Sequence, residues 1–245
     1  MVDKTENIKD KLVNSLKGRE AIYLFLSRIY EKEIDAETFR KYLESKNSFL
    51  GYSSIEELDP NVNEGFKQLY EYFSKVDEER IDEEILKLAV DYANLFLGVK
   101  YTRERKGIPH PSESVYMTGY MYQDERDDVF KMYLDEGLVK SEDFREPEDH
   151  IAIELYFMAY LCKKAISFLE NEDYDSLLGN LMKQKRFLNK HLLKWAFKLA
   201  NDVIEYADTK FYRATGKILK GFLNMEKNAI NELIKQAGSL KSIRG

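Results

Sequence analysis

Four prolines and twelve glycines are all the backbone punctuation that 245 residues carry. A β-sandwich or barrel needs a turn every ~8–12 residues, and turns draw heavily on those two residue types. So sparse a supply disfavours both architectures. Apolar residues recur instead at helical spacing. Ala21, Leu24, Phe25 and Ile29 fall at i, i+3, i+4 and i+8, which is one face of a helix. Phe66, Leu69, Tyr70 and Phe73 repeat the pattern, as do Ile85, Leu88, Ala89, Tyr92, Leu95 and Phe96, and later Ile151, Leu155, Met158, Ala159, Cys162 and Ile166. No β-alternation and no fixed-period repeat competes with it. The expected fold is all-α, a single bundle-like domain of about ten helices.

Capping residues set the expected boundaries. Asp35 reads as the N-cap of a short second helix and Asn63 as the cap of a helix to about 75. Asp82 opens another, which Gly98 stops. A helix over 124–136 ends at Gly137, and one over 148–170 follows. Further helices are expected near 173–188, 190–206 and 208–236, with a frayed tail over 238–245. The longest interruption, 98–124, holds Pro109, Pro111 and the basic run Arg103-Glu104-Arg105-Lys106. It is a natural hinge between an N-terminal lobe of about 1–110 and a C-terminal lobe of about 124–237.

Charge narrows the function classes. Lys and Arg total 38 against 44 Asp and Glu, a net charge of −6. A general nucleic-acid binder would show a basic face, so none is expected, whereas an acidic patch would attract a basic partner. With one cysteine, Cys162, an internal disulfide is excluded, and its apolar setting predicts an inert buried thiol. No window approaches ~18 uninterrupted apolar residues, so no membrane insertion is expected. Met1–Glu6 has no apolar run of the secretory kind, and the expected location is the cytoplasm.

The sequence offers little catalytic chemistry. His110, His150 and His191 are far apart, and no zinc-protease, phosphate-loop or nucleophile-elbow motif is present. One constellation stands out. Glu146-Pro147-Glu148-Asp149-His150 directly precedes a strongly apolar helix. Pro147 fits the first helical position, and carboxylates in a first turn favour the helix dipole by ~0.3–1 kcal/mol. That explains Pro147, Glu148 and Asp149 but neither His150 nor three carboxylates within four positions. A metal-dependent enzyme using Glu146, Asp149 and His150, and a plain helical adaptor, are the alternatives these residues leave open.

Taken in order, the segments DYANLFLG (91–98), PHPSESVY (109–116), EPEDH (146–150), HLLKW (191–195) and ADTKFY (207–212) resemble the TorD/DmsD/NarJ family of cytoplasmic chaperones for molybdenum oxidoreductases. The match runs over about residues 19–225. The resemblance implies an all-helical, non-enzymatic protein with no cofactor of its own, although weak guanine-nucleotide binding has been proposed in the family. Its implied partner is the apo catalytic subunit of a molybdopterin oxidoreductase, bound through its twin-arginine leader, its body or both. It is held until the cofactor is inserted and export is allowed. Some members form homodimers by domain swapping. The implied leader-binding residues are Tyr92, Leu95, Phe96 and Gly98 of the first segment, Glu113, Ser114 and Tyr116 of the second, and Glu146, Pro147, Glu148, Asp149 and His150 of the third. Relatives often carry Trp where this chain has Tyr92, and the basic run 103–106 has no counterpart. Arginine forks pair bidentately with carboxylates, which suits the acidic run 146–149 to that leader. In this reading Glu31 is a surface carboxylate remote from the site.

Overall fold

The computed structural model describes residues 2–97 and 110–244. Eleven α-helices and one 3-10 turn are found among them, with no strand. α1 (Val2–Glu31), α2 (Ala36–Glu44), α3 (Lys46–Ser53), α4 (Pro60–Phe73) and α5 (Ile81–Phe96) precede the undescribed stretch. α6 (Glu113–Thr118), α7 (Asp124–Leu134), α8 (Ile151–Glu170), α9 (Tyr174–Lys190), α10 (Leu192–Tyr206) and α11 (Lys210–Arg244) follow it. The all-α expectation holds. Gly98, Pro109 and the basic run 103–106 lie outside the described residues.

Several boundaries differ from the sequence reading, each for a local reason. Asp35 does cap α2, accepting from the Thr38 amide at 2.8 Å. Asn63 does not cap α4: Asp59 accepts from the Asn61 amide, and Pro60 supplies a preset φ at the first helical position. Gly137 closes α7 at φ +73°, letting the Leu138 amide reach back to the Tyr133 carbonyl at 2.9 Å. The expected interruption contains α6. The tail does not fray at Gly238, because Ala237 and Leu240 continue the buried stripe of α11 and helix persists to Arg244.

Packing joins the two halves of the chain. α1 lies along α8, and α11 lies along α4, α9 and α10. Helices from before and after the expected hinge thus share one buried core, running from Leu12 to Leu240. The α4–α11 approach depends on missing side chains. A Cβ on Gly65 would stand 2.5 Å from Ile218 Cγ1, and one on Gly221 would stand 2.8 Å from the Val62 amide nitrogen.

Two buried polar networks cross-link this core. Arg19 of α1 donates in a fork to Glu226 of α11, Nε to Oε1 at 2.7 Å and Nη2 to Oε2 at 2.6 Å. Its Nη1 donates to Gln184 of α9 at 2.7 Å, and the Tyr23 hydroxyl donates to Glu226 at 2.5 Å. Asp91 of α5 accepts from the Asp208 amide, the Thr209 amide and the Thr209 hydroxyl at 3.0, 2.8 and 2.6 Å, capping α11 from another helix. Cys162 is fully buried, and burial pushes its thiol up to about 12.

Candidate functional site

Of the twelve sequence-selected residues, four line one cleft of about 530 Å3: Tyr92, Phe96, Glu146 and His150. The end of α5 supplies the first two. The segment entering α8 supplies the others. Opposite them runs the α1–α2 connection, contributing Glu31, Lys32, Glu33, Ile34 and Asp35. Ile34, Ile85, Tyr92, Phe96 and Pro111 make the cleft largely apolar at its floor, with carboxylates around it. Asp35 is tied to Arg28 at 2.8 Å and to Lys32 at 3.7 Å. The carboxylates of Glu31, Glu33 and Glu146 have no hydrogen-bonding or ionic partner among the described residues. Their field is felt below. Burial, and then the negative charges of Glu146, Glu33 and Glu31, hold the Tyr92 phenol above its ordinary range.

The other selected residues among those described are structural. Leu95 is buried and does not line the cleft. Tyr116 turns to α10, its hydroxyl donating to Asp202 at 2.7 Å and its ring lying 5.4 Å from Trp195. Pro147, Glu148 and Asp149 do not form the first turn of α8. They make a tight turn closed by the His150 amide on the Pro147 carbonyl, and the helix begins at Ile151. Glu148 turns inward to Arg126 at 2.5 Å and Lys140 at 3.5 Å. Burial alone would raise its carboxyl, but these cations outweigh it and hold the group low.

Asp149 is fully buried and accepts from the Ser114 amide at 2.7 Å, while its own carbonyl accepts from the Glu113 amide at 3.0 Å. Glu113 meets His191 at 2.8 Å, and Glu154 accepts from the Trp195 indole at 3.1 Å. Burial, with Glu113 and Asp149 beside it, raises the Glu154 carboxyl well above the usual range. Glu113, Ser114 and Asp149 therefore fasten α6 to α8 and α10. They support the cleft wall from behind, through the antiparallel bridge of Ser112 with His150.

His150 is the N-cap of α8. Its Nδ1 accepts from the Ala152 amide at 3.2 Å, which leaves the ring proton on Nε2, and Phe144 packs edge-on at 5.2 Å. Burial, then the nearby His110 and Lys140, depress its pKa to about 3. Between there and the ordinary 6.5, the unfolded chain binds a proton that the folded chain refuses, so stability falls as pH is lowered through this window. Glu154, with its raised value, contributes in the opposite sense: its stabilisation is present at low pH and lost as pH rises. Comparison with a His150→Asn variant, which keeps a capping oxygen, isolates the first effect. Acidification from about pH 7 to about pH 5 should cost the wild type about 2 kcal/mol more than the variant in denaturant unfolding.

The metal-enzyme alternative finds no support in this arrangement. Among the described residues no group of three or more His, Cys, Asp or Glu is placed to hold a metal ion. His150 Nδ1 is already occupied, and Asp149 faces Ser114. Nor is any helix among the described residues long and apolar enough to cross a membrane.

Sequence reasoning missed Glu31, Glu33 and the rest of the α1–α2 wall. Glu31, taken as remote, lies on the cleft. The run Glu31-Lys32-Glu33-Ile34-Asp35 has the composition of a solvated connection, and only the single buried Ile34 within it hinted otherwise.

Comparison with known proteins bears on the same region. The family described as nitrate reductase delta subunit matches residues 55–201, more than half of the chain. The chain belongs to this family. Tyr92, Phe96, Pro111, Glu146 and His150 all lie inside the matched family segment, whereas the Glu31–Asp35 wall precedes it. Individual relatives include the chaperone protein TorD of Vibrio cholerae serotype O1 (strain O395), 32% identical over 100 residues, 41% of this chain and 44% of that one. The chaperone protein TorD of Photobacterium profundum is 29% identical over 125 residues, 51% of this chain and 56% of its own. That of Vibrio atlanticus is 27% identical over 210 residues, 85% and 92% of the two chains. The chain thus spans less than half the length of the first relative and most of the last.

Proposed function

We propose that this member of the delta-subunit family is a maturation chaperone for a molybdopterin-containing oxidoreductase, working in the cytoplasm, and that the cleft between α5 and the α1–α2 connection receives the arginine-bearing leader of its client. Holding the leader would keep the client from export while its cofactor is inserted. Relatives named as TorD chaperones support the general role. One observation carries the site. Three carboxylates that have no partner among the described residues, Glu31, Glu33 and Glu146, line the same cleft as the apolar Ile34, Tyr92 and Phe96. Uncompensated negative charge beside apolar surface suits a cation carried on an apolar chain. A guanidinium answers two carboxylate oxygens at once, and its planar face tolerates aromatic neighbours. An ammonium does neither as well.

The test is binding of a labelled synthetic peptide with an adjacent arginine pair. Glu146→Lys should weaken binding about tenfold at low salt, Glu31→Lys by a similar factor, and added salt should shrink both effects. Glu232→Lys, on the exposed face of α11 and outside the cleft, should leave affinity unchanged. Equal effects at all three positions would refute the site. Asp149→Lys does not test binding, because it would bury a cation at a fully enclosed position.

A further inference from the structure

Where α6 meets the start of α8, five polar atoms find no partner among the described residues: Ser112 Oγ, Glu113 Oε1, Asp149 Oδ1, Glu154 Oε1 and His191 Nε2. All five residues are buried. Orphaned atoms are scarce in folded interiors, and here they share one neighbourhood. Three are carboxylate oxygens, on α6, on the turn before α8 and on α8 itself. The other oxygen of each carboxylate is engaged, Glu113 with His191 at 2.8 Å, Asp149 with the Ser114 amide at 2.7 Å and Glu154 with the Trp195 indole at 3.1 Å. Little else offsets the charge. α7 brings the Tyr133 phenol, which donates to the Glu148 carbonyl at 3.2 Å, and α1 brings the Ser27 hydroxyl, which donates to the Ala152 carbonyl at 2.8 Å. α9 ends at His191. His150 caps α8 through Nδ1, and His110 feels the Asp149 charge. Arg126 and Lys140 are taken by Glu148, and Lys190 by Asp128. Three ionised carboxylates enclosed with one imidazole would repel strongly, since no water screens them. A proton must reside among them. Burial first, and then the charges of Glu113 and Asp149, place it on Glu154.

The same neighbourhood is a seam. Residues 111–114 are fastened to 149–151 by the Ile151 amide on the Pro111 carbonyl at 2.8 Å, the Glu113 amide on the Asp149 carbonyl at 3.0 Å and the Ser114 amide on the Asp149 carboxylate. Pro111 and His150, on opposite sides of the seam, both line the cleft. Glu154 stands on a well-anchored element, because α8 lies along α1 and α9. Glu113 arrives on α6, a helix of only six residues.

We infer that Glu113, Asp149 and Glu154 form a proton-dependent clasp: with one proton among them α6 stays docked and holds the Pro111 wall of the cleft, and loss of that proton releases the segment from Pro111 to Thr118. Glu113 gives way because its short helix is the least anchored of the three supports. The three carboxyls are positioning residues, acting on the cleft through Pro111 and His150. The clasp is independent of what the cleft binds.

Trp195 is the only tryptophan in the sequence and donates directly to Glu154, so its emission reports on the clasp. Titrated from mildly acid to alkaline pH, the full chain should show one step in this emission above the ordinary carboxylate range. Glu154→Gln stays neutral at every pH and keeps an acceptor for the indole, so it should show no step. Glu113→Gln should move the step to lower pH, because a like charge is gone. Beyond the step, the Ser114 and Ile151 amides should exchange at least about tenfold faster in the wild type than in Glu154→Gln at the same pH. Far-UV circular dichroism should remain that of the folded chain. No step in the wild type, or the same step in Glu154→Gln, overturns the inference. So does a step without faster exchange, since the proton then leaves without releasing α6. A step that coincides with loss of helix also overturns it, because that is global unfolding. If Glu154→Gln does not fold, the Glu113→Gln shift and the wild-type exchange decide, and a step that Glu113→Gln leaves in place sinks the clasp.

Discussion

Arg19→Met is expected to destabilise the fold by about 3–5 kcal/mol. Glu226 is 1% exposed, and its two oxygens take the Arg19 fork. Without the guanidinium, among the described residues only the Tyr23 hydroxyl remains to answer a buried carboxylate. The cost follows from desolvation. Removing one partner of a buried pair leaves a charge that water solvates far better than protein does. The double substitution Arg19→Met with Glu226→Leu removes both charges and should recover most of the loss. Urea unfolding of the three proteins measures this at equilibrium. A double variant as unstable as the single one would show that packing, and not charge, is what Arg19 contributes.

The second large effect is expected at Asp91. Its carboxylate answers two amides and one hydroxyl at the start of α11, which is the longest helix and contacts α1, α4, α9 and α10. Loss of a cap costs ~1–2 kcal/mol, and donors left buried without partners add to it. Asp91→Ala should therefore lose about 2–4 kcal/mol, and Asp91→Asn, which keeps one acceptor oxygen, clearly less. Amide exchange at the start of α11 should accelerate in the alanine variant. Unchanged exchange there would mean that the cap contributes nothing local. The same contact explains why DYANLFLG and ADTKFY stand out in the sequence. The Asp of one segment caps the helix that begins in the other, at a separation of 117 residues.

The candidate site was legible in part, and the division is instructive. Tyr92, Phe96, Glu146 and His150 carry the family resemblance and do meet at one cleft. Glu148 and Asp149 belong to the same motif yet point inward, since Arg126, Lys140 and the Ser114 amide are brought to them by folding. Nothing within the motif marks which of its carboxylates will find an internal partner. Leu95 fails for a similar reason. It sits three residues after Tyr92 and one before Phe96, and the way α2 and α11 pack on α5 decides which of the three reaches an opening.

What the sequence by itself determined is what depends on near neighbours. Helical spacing, scarce glycine and proline, and caps such as Asp35 and Gly137 act through residues three to five positions away, so they specify an all-α chain before any tertiary contact forms. Only the tertiary structure decided which charges are free. A carboxylate stays charged and available when water faces it, and becomes structural when a cation or amide from a distant segment does. That choice separates Glu31, Glu33 and Glu146 at the cleft from Glu226, Glu148 and Asp149 in the interior. It rests on contacts spanning as many as 207 residues, and local periodicity carries no information about them.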